Sequence, residues 1–401
     1  MASQTLSHVQ YRYREQALIA TLQNLIRQPS ITPDDAGCSE LVAEYLNQMG
    51  FTTQIFTLNG VTNLIAQKGH HRPTLAFLGH TDVVPPGNPE TWLFPPFSAT
   101  LNNGFIYGRG SVDMKSGIAC MLNALTLYYA DPESDHNASI MFLLTSDEEG
   151  PADYGTRSIV DYLKQSHIPV DACLVGEPTA RRNGGDTVKI GRRGALSGTI
   201  NIHGVSGHVA YPHQIDNPLH TAAAVIKSLT QLNWDEGSAD FPGTSLQVTH
   251  IDSGSFTDNI SPSDCRIEFN IRYSHLWCEQ SLNEFICQAI SSVCNQFEIH
   301  WQRPCESYFS SPETKTTKLL SIIEQAVIKK TGRYPTLSTS GGTSDGRFMA
   351  SICNDVYELG VPNQRIHQVD ERVAIEELVV MRDIYLETLK GFFNHPATEA
   401  F

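Results

Sequence analysis

The sequence predicts an open α/β sheet flanked by helices and interrupted by an inserted two-layer α+β module. Three observations carry this. Branched apolar runs at 74–78, 138–144 and 172–175 are continuous rather than alternating, as in strands buried on both faces, and helical stripes separate them. Each run closes in a polar residue of ligand type, which places a site at the carboxyl ends of the strands. From about Gly194 the texture changes to strand, helix, strand, strand, helix, strand, and the first texture returns from about Ser310.

Leu18, Leu22, Leu25 and Ile26 give the first helical stripe, which Pro29 to Pro33 ends. Leu41, Val42, Tyr45, Leu46 and Met49 give the second, with Gly50 as its stop. Short strands follow at 52–56 and 63–67, and the run at 74–78 leads into Gly79-His80-Thr81-Asp82. Ile118, Met121, Leu122, Leu125 and Tyr129 mark a helix after Gly108 to Gly117. The strand at 138–144 precedes Asp147-Glu148-Glu149-Gly150, a helix spans 156–165, and the strand at 172–175 precedes Gly176-Glu177-Pro178. In the module, strands are expected at 195–204, 245–251, 267–273 and 297–301, with helices at 218–232 and 282–293. A helix at 317–330, a strand at 355–359 and a long helix after Asp370 complete the chain.

Forty-three acidic against 28 basic residues give a formal charge of −15, which argues against nucleic-acid and anionic-membrane partners. No apolar run approaches membrane-spanning length, so a cytoplasmic location is the default. The nine cysteines form no Cys-x-x-Cys pair, which suggests neither a disulfide framework nor a thiolate metal site.

Chemistry gathers at His80, Asp113, Glu149, Glu177 and His367. Imidazole and carboxylate donors without thiolate suit zinc, cobalt or manganese, and five donors suit two ions that share a bridging carboxylate. Singly, each has an ordinary alternative as a loop histidine, a helix cap or a surface acid. On extended backbone Asp82 shares a face with His80 and can hydrogen-bond it, while neighbouring Glu148 and Glu149 face opposite ways, so that one can bind metal and the other move protons.

Gly79-His80-Thr81-Asp82, Gly108-Arg109-Gly110 with Asp113-Met114-Lys115, Asp147-Glu148-Glu149-Gly150, Gly176-Glu177-Pro178 and Ile366-His367 stand in the order and approximate spacing of the dinuclear zinc aminoacylase and carboxypeptidase family, which the chain resembles from end to end. The resemblance implies a zinc-exopeptidase-like catalytic domain with a mixed sheet, made from residues 1–193 and 308–401, and a ferredoxin-like dimerisation or lid domain at 194–307. It implies two Zn2+ per subunit, with Co2+ able to substitute. Asp113 would bridge them, His80 and Glu177 would complete one site, and Glu149 and His367 the other. Asp82 would orient His80, Glu148 would be the general base for a metal-activated water, and the Asp113–Met114 peptide would be cis. His208 would stabilise the oxyanion in a partner subunit's site, making the active form a homodimer with shared active sites.

Within the family, the motifs around Arg192, Arg272 and Gly342-Thr343, together with Tyr211 and Asn259, resemble the substrate-binding elements of members that remove a succinyl group from a diamino diacid. Arginine suits a small anionic N-acyl amino acid. Deacylases of acetylated amino acids and dipeptidases of the same fold are the neighbouring alternatives, and the presence of Glu148 weighs against a binding protein without catalysis. Two departures stand out: Asp370 where the family commonly has asparagine, and Ala195 where serine is usual. Both bear on substrate contacts and leave the metal ligands untouched.

Overall fold

The computed structural model describes residues 2–310 and 316–394, and they fall into two compact units. The first comprises Met1–Gly191, Ser310–Ser338 and Ser344–Phe401; the second comprises Arg192–Phe309 and Thr339–Thr343. The short segment 339–343 groups with the second unit because the Thr339 hydroxyl donates to the Asp240 carbonyl and Arg192 Nη1 donates to the Gly342 carbonyl.

The first unit is built on an eight-stranded sheet. From edge to edge its strands are Thr52–Leu58, Val61–Lys68, Ala138–Thr145, His71–His80, Ala172–Val175, Asp355–Glu358, Thr187–Lys189 and Thr336–Ser338. It is mixed: Val61–Lys68 runs antiparallel to Ala138–Thr145, whereas His71–His80 is parallel to both of its neighbours, as Asp355–Glu358 is to Ala172–Val175. All of Ala138–Thr145, Ala172–Val175 and Asp355–Glu358 is buried, the burial expected of strands covered on both faces. Helix Lys115–Ala130 packs against both Ala2–Ile26 and Ile375–Asn394. Its own apolar residues Ile118, Met121, Leu122 and Leu125 are buried.

Parallel register aligns the strand ends. His80 pairs with Thr145, and Leu78 pairs with Val175, so the turns that follow all three strands leave the sheet at one rim. A separate three-stranded sheet of Thr100–Asn102, Phe105–Tyr107 and Arg372–Ala374 pairs Arg372 with Tyr107 and ties the late chain beside the loop after Tyr107.

The second unit has the expected strand and helix order. Its four-stranded antiparallel sheet runs Ser245–Asp252, Asp264–Tyr273, Gly194–His203, Glu298–Cys305, the ferredoxin-like arrangement. Alternate residues of Asp264–Tyr273 are buried, and Ile267, Phe269 and Ile271 form a core with Val225, Leu229, Leu282, Ile286 and Ile290 of the two helices. All nine cysteines are free, and no helix among the described residues is long and apolar enough to cross a membrane.

Candidate active site

The rim of the first unit collects five donors that the chain separates by up to 287 positions, from His80 to His367. His80, the last residue of its strand, is buried, and its Nε2 lies 3.3 Å from Asp113 Oδ1 and 3.6 Å from Glu177 Oε1. Asp113 Oδ2 lies 3.3 Å from His367 Nε2, which is 3.0 Å from Glu149 Oε1. Three triads of potential ligand atoms therefore overlap: His80, Asp113 and Glu177; His80, Glu148 and Glu149; Asp113, Glu149 and His367.

These residues fit a pair of divalent cations. His80 Nε2 and Asp113 Oδ1 are buried and face each other at 3.3 Å without the alignment of a hydrogen bond, as two ligands aimed at a common ion would. Two donors each about 2.05 Å from a tetrahedral zinc stand about 3.3 Å apart, which matches the 3.0–3.6 Å separations here. Asp113 reaches both histidines, one with each oxygen.

The ionisation of these groups follows from their crowding. Burial pushes the Asp113 carboxyl up, but His367 and His80 outweigh it and hold it below the usual range. Burial lowers His80, yet Asp113 and Asp82 raise it well above an ordinary imidazole. His367 is pushed up to about 10, by Asp113 first and then by Glu149. Glu148 is raised well above an ordinary carboxyl, chiefly by burial, with His80 opposing and Glu177, Asp345 and Glu149 reinforcing.

Close approach has local causes. A Cβ on Gly117, at the start of helix Lys115–Ala130, would lie 2.3 Å from the Gly176 carbonyl oxygen, so the glycine lets the helix abut the strand end that carries Glu177. The Asp113–Met114 peptide is cis, and Met114 Sδ accepts the His80 N–H at 3.3 Å.

Asp82 has a different arrangement from the shared strand face expected for it. The strand ends at His80, and His80 Nδ1 meets the Asp82 backbone carbonyl at 2.9 Å, nearer than the carboxylate at 3.5 Å. The carboxylate instead accepts the N–H groups of Glu148 and Glu149, at 3.3 and 3.1 Å. Nor are the two glutamates on extended backbone: the strand stops at Thr145 and they occupy a turn. Asp82 thereby holds the acidic turn as well as standing behind His80.

The remaining candidates lie in the second unit. His208 pairs with Ile260 beside Asn259, whose carbonyl accepts the Val209 N–H, and its ring meets Tyr211 edge-on at 5.8 Å. His208 Nδ1 accepts the Ala210 N–H at 3.1 Å, which places the ring proton on Nε2. Arg192, Gly342 and Thr343 form a second group through the Arg192–Gly342 contact. Arg272 is on the strand paired to Ala195. Arg193, which the motifs did not single out, belongs with it: burial and the Arg272 charge both lower its pKa, and its Nε is buried without a hydrogen bond.

Sequence reasoning also passed over Glu371, and it read Asp345 only as the end of the Gly-Gly-Thr-Ser-Asp loop among the substrate-binding elements. Glu371 is wholly buried beneath the Gly108–Asp113 loop, and Asp345, also buried, adds negative charge near Glu148. Only position could have signalled Glu371, four residues beyond His367. Asp370 has φ of 57°, and its Oδ1 accepts the Leu93 N–H at 2.7 Å, both of which asparagine would reproduce.

The profile of peptidase family M20/M25/M40 matches residues 76–391. The chain is 49% identical over 366 residues to succinyl-diaminopimelate desuccinylase 1 of Alteromonas mediterranea, covering 91% of this chain and 94% of that protein. It is 48% identical over 379 residues to succinyl-diaminopimelate desuccinylase 2 of Shewanella loihica, covering 93% and 99%. In fold it is similar to an M20 family metallo-carboxypeptidase from Sulfolobus solfataricus, with TM-score 0.75 at 17% identity, covering 94% of this chain and 99% of that one. With a family profile spanning most of its length and relatives nearly half identical along almost all of it, the chain belongs to peptidase family M20/M25/M40 and is a hydrolase.

Proposed function

We propose that the protein hydrolyses the amide bond of N-succinyl-LL-2,6-diaminopimelate, giving succinate and LL-2,6-diaminopimelate, a precursor of lysine and of cell wall. The observation that carries the hydrolytic chemistry is the pair of buried ligand atoms without a hydrogen bond, His80 Nε2 and Asp113 Oδ1, in the cluster that also holds Glu148. The relatives' names supply the amide.

In this reading His80, Asp113 and Glu177 would hold one Zn2+, and Asp113, Glu149 and His367 would hold a second, with Co2+ able to replace either. When bound, the cations supply Lewis-acid polarisation of the amide carbonyl and acidify the attacking water. Glu148 takes the proton that the water loses as its oxygen bonds to the carbonyl carbon, and gives it to the nitrogen as the C–N bond breaks. One water is consumed, its oxygen ending in succinate. The Asp82 carboxylate, by holding both N–H groups of the turn, keeps Glu148 on station for both transfers.

The second unit would supply recognition. Arg192 and Arg272 suit the substrate's carboxylates, with Tyr211, Asn259, Gly342 and Thr343 shaping the same site. We assign the protein as a cytoplasmic homodimer in which His208 serves the partner subunit's site. The tautomer supports this role, because Nε2–H is left to donate to a developing oxyanion.

Turnover of N-succinyl-LL-2,6-diaminopimelate against N-acetylornithine, with metal content measured on the same sample, tests the reading. A kcat/KM at least tenfold higher for the succinyl compound is expected. Preference for the acetyl compound would move the assignment to a deacetylase of the same fold.

A further inference from the structure

We propose that Glu371 is a positioning residue that fixes the spacing of Asp113 and His367, and so sets the affinity of the cation site these two share with Glu149. The inference rests on the metal reading given above.

Glu371 has no exposed surface, and its carboxylate is fully engaged by one short loop. Oε1 accepts the N–H groups of Val112 and Asp113 at 2.7 and 3.2 Å. Oε2 accepts the Gly110 N–H at 3.0 Å and Arg109 Nη1 at 2.7 Å. The Glu371 backbone carbonyl accepts the Gly108 N–H at 2.9 Å. Five donors from Gly108 to Asp113 thus converge on one residue, and the last of them is the backbone of the aspartate that contacts both histidines.

The other end of the clamp is His367. It lies four positions earlier on the same segment, and Arg109 Nη1 also reaches the Gln368 carbonyl at 3.3 Å. Arg109 stands under the Trp92 ring, 5.2 Å from its centroid, so its guanidinium is held in place. His80 and Glu177 hang from parallel strands with an independent framework. Asp113 and His367 hang from loops, and Glu371 with Arg109 joins those loops next to the Arg372–Tyr107 strand pairing.

A fold-stabilising role alone would not need the carboxylate to be aimed at the Asp113 backbone. Glutamine keeps the shape, but its NH2 cannot accept, so Glu371→Gln must leave either the Val112 and Asp113 N–H groups or the Gly110 N–H and Arg109 facing a donor. Changing a residue that orients metal ligands from behind typically weakens binding about 10–100-fold.

The test is titration of Zn2+ into metal-stripped full-length protein with a competing chelator, and of Co2+ with its visible spectrum recorded. Wild type should bind two ions. Glu371→Gln should retain wild-type circular dichroism and bind one ion at least tenfold more weakly than wild type, with the other, which also uses Asp113 but not His367, weakened less and the larger spectral change belonging to the more weakly held Co2+. Two ions bound by Glu371→Gln at wild-type affinity with an unchanged spectrum would overturn the proposal, even with a lowered melting temperature. Should Glu371→Gln fail to fold, Arg109→Gln decides on the same readouts, since it cuts the link to Gln368 while leaving the three loop N–H bonds. Failure of wild type to bind metal would instead remove the reading on which the inference rests.

Discussion

Asp82→Ala is the most direct probe of how the acidic turn is held. The Asp82 side chain is wholly buried, and its two oxygens receive the Glu148 and Glu149 N–H groups at 3.3 and 3.1 Å. Alanine leaves both donors without a partner, and a buried unmade hydrogen bond costs about 1–3 kcal/mol, so the pair amounts to about 4 kcal/mol. That is a large share of the roughly 5–15 kcal/mol that holds a domain folded. Asp82→Asn keeps one acceptor and turns an NH2 toward the other N–H, so about half the loss is expected. Urea unfolding of metal-stripped protein reads the stability, and kcat of the reconstituted enzyme reads the function. Because Glu148 loses its support in Asp82→Ala, kcat of that variant should fall by about 10²–10³, and Asp82→Asn should fall less. An Asp82→Ala protein that unfolds at the wild-type midpoint and turns over within twofold of wild type would show that the carboxylate does not hold the turn.

Glu148→Gln should lower kcat by about 10²–10⁴ with two metal ions retained, measured by steady-state kinetics and elemental analysis of one sample; undiminished turnover would exclude Glu148 as the proton carrier. In metal-free protein, Asp113 and Glu149 push His367 up to about 10, and Asp113 and Asp82 likewise raise His80 against the opposing effect of burial. Both rings therefore carry a proton at neutral pH that a cation must displace, so zinc affinity should rise with pH, and the calorimetric enthalpy should depend on the buffer. A buffer-independent enthalpy at pH 7 would count against this. The sign for stability follows from a folded pKa above the unfolded one: the charged His367 contributes fully below about pH 6.5, and that contribution is lost as pH rises through about 10. Gly117→Ala should separate Asp113 from Glu177, because its Cβ would sit 2.3 Å from the Gly176 carbonyl oxygen. A loss of about 1–3 kcal/mol in urea unfolding, together with weakened zinc binding, is expected; wild-type behaviour in both would mean that the helix start yields freely.

Long elements and the donor set were legible in the sequence because each leaves a local trace. Ala138 to Leu144 is an unbroken apolar run, and Ile267 to Tyr273 alternates, so period and length identify them. Strands Thr187–Lys189, Thr336–Ser338, Phe105–Tyr107 and Arg372–Ala374 went unread, since three residues cannot express a period. The five donors were found through motifs, yet the residues that aim them were harder to see. Asp82 was placed against His80 on the assumption that the strand ran on, whereas the chain turns there and the carboxylate looks to Glu148 and Glu149. Glu371 serves backbone N–H groups some 260 positions away, and no spacing rule connects an acceptor to amides at that distance.

The chain leaves the first unit after Gly191 and returns at Ser310, and the Ser310 N–H donates to the Ile190 carbonyl at 2.8 Å. More than a hundred residues are thus spliced in at a point where the flanking backbone already touches. A bridge of a few glycines could close that gap, so the sheet and its five donors should fold and take up zinc with the insert removed, while amide hydrolysis disappears. Evolution could exchange the inserted module in the same way, changing what the enzyme grips without rebuilding the centre that cuts.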